Sequence, residues 1–228
     1  MQTKANMHGK LEILWLTSIL AAIFICAYYT NDTPAAVISA VCGILYTFIA
    51  GKGRVVCYLF GLCGSGFYAY LAFKNGLYGN FLLYLCLYIP MQIVGIFKWK
   101  KHLNKASNTI IKISLGTKER IFLCFISVFS SIIATCVLFL LKGSNPLFDG
   151  ITLVLSVIGM YLTVRRAVEQ WVIWVVVNFL SVCIWINLLL CGEKVCSTVM
   201  MWGAYLFLAV YFYIDWTREL KATRASKP

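Results

Sequence analysis

The chain has 228 residues, 61% of them hydrophobic and 12% charged, and carries a net charge of +12. So apolar a composition leaves no room for a soluble domain; the longest stretch outside an apolar segment is residues 100–120. The basic residues stand in short loops beside apolar runs, where they read as topology signals against anionic lipid headgroups, and nothing in the chain resembles a nucleic-acid module.

Eight apolar segments follow one another: residues 11–29, 33–50, 55–73, 80–99, 121–141, 147–164, 171–190 and 196–216. Most approach the ~18–20 residues an α-helix needs to cross ~30 Å of hydrocarbon. Lipid offers backbone groups no outside partner, so each is predicted to be a membrane helix. The first, after Lys4 and Lys10, has the flanks of a signal peptide. It is long for that purpose, and its exit at Tyr28–Tyr29–Thr30–Asn31–Asp32 lacks a small-x-small cleavage site, so a retained helix is expected. On the third segment, Gly61, Gly64 and Gly66 permit close helix packing. On the fourth, Tyr84, Tyr88 and Gln92 share one helical stripe, and Pro90 removes a mid-helix backbone donor, which predicts a bend. On the seventh, Trp171, Trp174, Asn178, Ser181 and Trp185 form a second stripe at steps of three or four.

Threaded as eight helices, the chain puts Lys4, Lys10, Lys52, Arg54, Lys98, Lys100, Lys101, Lys105, Lys112, Lys118, Arg120, Arg165, Arg166, Arg218, Lys221, Arg224 and Lys227 on one side. Only Lys74, Lys142 and Lys194 fall on the other. The positive-inside rule then predicts that both termini are cytoplasmic.

Sliding the chain over itself by 117 residues sets Trp99 on Trp216, Tyr88 on Tyr205, Gly61 and Gly64 on Asn178 and Ser181, and Tyr68 on Trp185. With a short gap, the turn 51–54 meets Arg165–Arg166. The expected fold is an all-α polytopic membrane protein: two parallel three-helix bundles, residues 33–103 and 147–217, joined by an inverting linker helix at 119–142. The helix at 11–29 is additional. Parallel repeats of this kind put a transport site between the halves near the midplane.

Gln92 and Asn178, one from each half, fall near mid-membrane, where a polar group must find a partner. Each is either an interhelical hydrogen bond worth roughly 1 kcal/mol or a ligand contact. Tyr84, Tyr88, Trp174, Ser181 and Trp185 share their stripes, while Tyr46, Tyr68, Trp202 and Tyr205 on other helices can face the same space. Trp99, Trp171 and Trp216 lie at the membrane boundary and read as core or anchoring residues. Every carboxylate (Glu12, Asp32, Glu119, Asp149, Glu169, Glu193, Asp215, Glu219) falls at a segment end or in a loop. A carrier driven by protons or sodium commonly places an ionisable group at the midplane, so downhill flux is expected. Cys26, Cys42, Cys57, Cys63, Cys86, Cys124, Cys136 and Cys183 sit inside apolar segments as small hydrophobes. With no Cys/His spacing for a metal and both histidines, His8 and His102, flanking segments, no metal or cofactor is predicted. Cys191 and Cys196 bracket an outside loop, and whether they pair is left open. No nucleophile, metal set or paired carboxylates lies at depth, so an intramembrane enzyme is not expected. A structural or sensory membrane protein would explain the aromatics as packing but gives the two amides no purpose.

Leu77–Tyr78–Gly79–Asn80, then residues 88–95 (YIPMQIVG) and Trp99–Lys100–Lys101–His102, resemble the nicotinamide riboside transporters of the PnuC family. Glu169–Gln170–Trp171–Val172–Ile173–Trp174 with Asn178 resembles a second signature of that family, and Met201–Trp202 with Tyr205 its final helix. The likeness covers roughly residues 37–216; the first segment lies outside it. It implies a SWEET-like fold and facilitated diffusion of nicotinamide riboside across a bacterial inner membrane, trapped by a cytoplasmic riboside kinase. Membrane lipid would be the other partner. Oligomeric state stays open, a trimer being among the forms the family admits. Thiamine, another cationic aromatic vitamin, is the alternative cargo. The site residues expected from the helical stripes and from this resemblance together are Asn178, Gln92, Trp174, Trp185, Tyr88, Tyr84, Ser181, Tyr205 and Trp202. Their chemistry suits a pyridinium riboside: aromatic faces attract a desolvated cation by ~0.5–2 kcal/mol each, and carboxamides both donate and accept.

Overall fold

In the computed structural model, residues 2–74, 78–104, 107–141, 146–191 and 196–225 are described. Leu77, Lys105, Lys142, Asn145, Glu193, Lys194 and Lys227, together with the side chains of Trp185 and Cys196, lie outside the described part. Helices account for almost all of it: α1 Gln2–Thr30, α2 Pro34–Gly51, α3 Cys57–Lys74, α4 Tyr78–Leu83, α5 Ile89–Lys101, α6 Thr117–Leu140, α7 Pro146–Arg165, α8 Gln170–Leu190 and α9 Cys196–Ala225. A π-helical turn, Tyr84–Tyr88, joins α4 to α5 without a break, so the fourth expected segment is one continuous rod. The all-α, polytopic expectation holds. Among the described residues, six helices are long and apolar enough to cross a membrane: Glu12–Tyr29, Pro34–Gly51, Phe81–Lys101, Thr117–Leu140, Pro146–Arg165 and Val199–Thr223.

Local chemistry sets the helix ends. Thr33 caps α2, its hydroxyl accepting from the Ala36 amide at 3.4 Å, with Pro34 in the first turn. α9 runs well past the expected end at Trp216 because Thr-Arg-Glu-Leu-Lys-Ala offers good helix formers and neither Gly nor Pro to stop it. α2 packs on α3, α6 on α7, and α8 on both α7 and α9; α5 reaches α3 and α7, and α9 returns to α2. α1 lies against α2 and α9. There Ile23 joins Ile44 and Ala204 in a buried cluster, and Trp15 meets Phe207 at 4.5 Å.

Of the two readings of Trp99, Trp171 and Trp216, the core one holds: all three lie in the largest buried cluster, with Tyr58, Leu208 and Phe212, and do not face lipid as anchors. The Trp99 indole donates to the Thr163 carbonyl at 2.9 Å and the Trp216 indole to the Gly51 carbonyl at 2.6 Å. Each acceptor is in the last turn of a helix, where carbonyls lack an intrahelical donor. Trp99 and Trp216 thus cap helix ends from within the core. Tyr58 stands edge-on to Trp99 at 5.0 Å, and Trp171 edge-on to Trp216 at 5.5 Å.

The basic stretch read as a plain loop also has structure. Strands β1 Leu103–Asn104 and β2 Thr109–Ile110 pair antiparallel, Leu103 opposite Ile110. Beyond them the chain straps both halves together: the Ile110 amide donates to Gly53 at 2.9 Å, the Ile113 amide to Arg166 at 3.0 Å, and the Val168 amide to Ile113 at 2.9 Å. The sequence signal is the apolar set Ile110, Ile113 and Leu115 inside a charged stretch; Ile110 and Leu115 are buried. Gly53 and Arg166, in the two turns the repeat pairs, both hold left-handed backbones, φ +68° and +65°. Arg166 donates to the Ile111 carbonyl at 2.8 Å, and burial, then Arg165, lowers its pKa from the ordinary arginine value. Ion pairs Lys52–Glu12, Lys112–Glu219, Arg120–Glu169 and Arg165–Glu119 ring this end. Cys191 is a free, exposed thiol.

Candidate functional site

A cavity of ≈ 340 Å³ opens between α1, α2, α3, the π-helical turn with α5, α7, α8 and α9. That volume is in the range of small-molecule sites. Its mouth carries Asp32, Ala36 and Leu71, and its far end meets Ala50, Gln170 and Trp171 above the tryptophan cluster. Among the described lining residues Asp32 is the one carboxylate, and no Lys or Arg is present.

Pro90 shapes one wall. It has no N–H to close an ordinary α-turn, and just before it the ladder loosens so that the Ile89 amide reaches back to the Tyr84 carbonyl. The lost donor is absorbed as this π-helical turn. It leaves Tyr84 and Tyr88 stacked at 4.6 Å, and Tyr84 stacked on Tyr68 of α3 at 4.2 Å. Three aromatic faces line up along the cavity.

Glycines make room in the wall. A Cβ on Gly61 would stand 2.8 Å from the Tyr46 ring and 2.9 Å from Gln92 Oε1, and one on Gly43 would collide with the Tyr205 hydroxyl. Gly64 is approached by Ser39, whose hydroxyl donates to the Gly64 carbonyl at 3.1 Å, as expected for close packing; Gly66 meets nothing.

Polar groups in the wall divide into fixed and unsatisfied. Gln92 is 2% exposed and donates through Nε2 to Ser65 Oγ at 2.9 Å. Trp174 donates to Thr163 Oγ1 at 3.2 Å, and Thr163 in turn donates to the Gly159 carbonyl at 2.8 Å. Asn178 is 5% exposed. Gln92 Oε1, the Tyr46 hydroxyl and the indole N–H groups of Trp171 and Trp202 are buried without a hydrogen-bond partner. A buried polar group left unpaired costs about 1–3 kcal/mol, so four such groups around one cavity describe what would complement it. The wall offers indole donors, a hydroxyl and an amide oxygen, set among aromatic faces.

Of the expected site residues, Asn178, Gln92, Trp174, Tyr84, Tyr88, Trp202 and Tyr205 line this cavity, as do Tyr46 and Tyr68. Ser181 does not: it is buried and donates to its own helix, to the Val177 carbonyl at 2.9 Å. Trp185 falls outside the described side chains. Ser65, Met160, Thr163 and Met201, Trp171 at the far end, Ile23 and Ala27 of α1 and Asp32 at the mouth also line it and were not foreseen. Ser65 and Tyr68 carry the face of Gly61 onward at helical spacing, which was a usable signal; Ile23 and Ala27 carried none, since nothing in the sequence orients α1.

Residues 33–218 match the protein family described as nicotinamide mononucleotide transporter. A nicotinamide riboside transporter PnuC from Neisseria mucosa is 34% identical over 92% of this chain and 82% of its own length. Its counterpart from Haemophilus influenzae is 28% identical over 93% and 92%. A crystal structure of the vitamin B3 transporter PnuC superposes with a TM-score of 0.80 at 33% identity, covering 93% of this chain and 92% of that one.

Proposed function

The chain belongs to the PnuC family of membrane transporters, and we propose that it carries nicotinamide riboside across a bacterial inner membrane by facilitated diffusion. The observation that carries this reading is the convergence of Gln92, Asn178 and the Tyr84, Tyr88 and Trp174 rings on one cavity with no Lys or Arg among its described lining residues. A pyridinium ring gains from aromatic faces, and ribose hydroxyls complement indole donors and amide groups. A nucleotide phosphate would need a cationic clamp, which favours the riboside over its phosphorylated form. The names of the Neisseria and Haemophilus relatives support riboside over thiamine as cargo.

The helices divide on this reading into units 33–103 and 147–217 around the linker 119–142, with α1 closing the α2–α9 side. The basic end, with both termini, faces the cytoplasm, where a kinase makes uptake one-way. The test is uptake of labelled nicotinamide riboside into liposomes holding the purified protein. Flux should need no ion gradient and stop at equal concentrations. Accumulation driven by a proton or sodium gradient would refute the mechanism, and absence of any riboside flux would refute the substrate.

A further inference from the structure

We infer that Ser65 and Gln92 together make the cavity selective for a carboxamide over a carboxylate on the pyridine ring; the inference rests on the riboside reading above. Gln92 on α5 commits its nitrogen to Ser65 Oγ on α3, at 2.9 Å. The other end of the amide, Oε1, is then turned toward Gly61, where the missing side chain leaves it room: a Cβ would stand 2.9 Å away. Oε1 is buried and has no hydrogen-bond partner. The side chain is thus fixed as an acceptor in the cavity wall.

A carboxamide brings the N–H that such an acceptor lacks. A carboxylate brings only lone pairs. Set against Oε1 it would leave two acceptors facing each other in a dry wall, with no Lys or Arg among the described lining residues to offset the charge. The unpartnered indoles of Trp171 and Trp202 are neutral donors open to either group, so they do not remove the lone-pair clash at Oε1. A site built around a hydrogen bond rejects the analogue that cannot make it more strongly than a site built on shape alone. Ser65 is the positioning residue. Without its hydroxyl the Gln92 amide can rotate and present N–H to the cavity, which a carboxylate accepts.

The experiment is isothermal titration of the purified full-length protein with nicotinamide riboside and with nicotinic acid riboside, which differ only in that group. The parent should prefer the amide by at least about tenfold. Ser65→Ala should shrink that preference by at least about threefold through gained affinity for the acid, while Ser65→Thr, which keeps the hydroxyl, should retain it. Gln92→Met, similar in shape without the acceptor, should lower affinity for the amide by about tenfold and bring the two affinities together. Equal binding of both ribosides by the parent overturns the inference and leaves the riboside reading standing. So does a parent-like preference in folded Ser65→Ala and Gln92→Met proteins. A parent that binds neither riboside overturns the riboside reading and this inference with it.

Discussion

Gly61→Ala pits the stability of a helix against the shape of a site, and the two should move differently. Gly61 is in α3, where Ala is favoured over Gly by about 1 kcal/mol. The added methyl, however, would sit 2.8 Å from the Tyr46 ring, 2.9 Å from Gln92 Oε1 and 3.1 Å from Gln92 Cδ. Overpacking of this kind costs about 1–3 kcal/mol, and Gln92 has little freedom to retreat because Ser65 holds its nitrogen. The net change in stability is therefore about 0–2 kcal/mol, from the difference of those two effects. Affinity should fall further, since both Tyr46 and Gln92 are displaced in the cavity wall. A loss of about 1–3 kcal/mol, or roughly five- to 150-fold, is expected. Gly66→Ala on the same helix meets nothing within 4 Å and should be neutral or slightly stabilising. Thermal unfolding in detergent gives the first quantity and titration with nicotinamide riboside the second. A folded Gly61→Ala protein that binds as tightly as the parent would show that this wall does not touch the ligand.

Asn178→Ala should lower riboside affinity by about 1–3 kcal/mol in the same titration; parent-like binding would make Asn178 a structural residue. Trp174→Phe should weaken binding less than Trp174→Leu, because one keeps an aromatic face and the other does not. Trp216→Phe leaves the Gly51 carbonyl without its donor and should cost at least about 1–3 kcal/mol of stability, read as a fall in unfolding temperature larger than any matched substitution at the exposed Phe125. Single-cysteine labelling in sealed cells, in a background cleared of native thiols, should modify position 31 from outside and spare positions 52 and 165; labelling at 52 would reverse the proposed orientation.

Helix positions were legible because lipid enforces them: eight long apolar runs admit few other structures. The two amides were legible for the same reason, since a carboxamide at mid-membrane is conspicuous. The tryptophan roles were legible only in part, as core or anchor. A Trp at a segment end looks the same in sequence whether it faces headgroups or caps the last turn of a neighbouring helix, and Trp99 and Trp216 do the second. Ser181 misled because stripe membership fixes a direction on one helix but not the depth of the cavity beside it; its hydroxyl is spent on Val177. The placement of Asp32 at the mouth depends on how α1 meets α2, a tertiary fact with no local signature. The π-helical turn was half legible, for Pro90 announced a lost donor without saying how the backbone would absorb it.

The near-neutral wall has a consequence for transport on the proposed reading. A buried carboxylate would hold a pyridinium tightly, but its desolvation is expensive when the cavity is empty, and the empty carrier must also change state. Rings cost little to bury and attract the cation by ~0.5–2 kcal/mol each. Tyr68, Tyr84, Tyr88 and Trp174 all line the cavity, and Tyr84 is stacked on both Tyr68 and Tyr88. Affinity assembled from several weak faces is enough to recognise a cation yet leaves no deep well from which release would be slow.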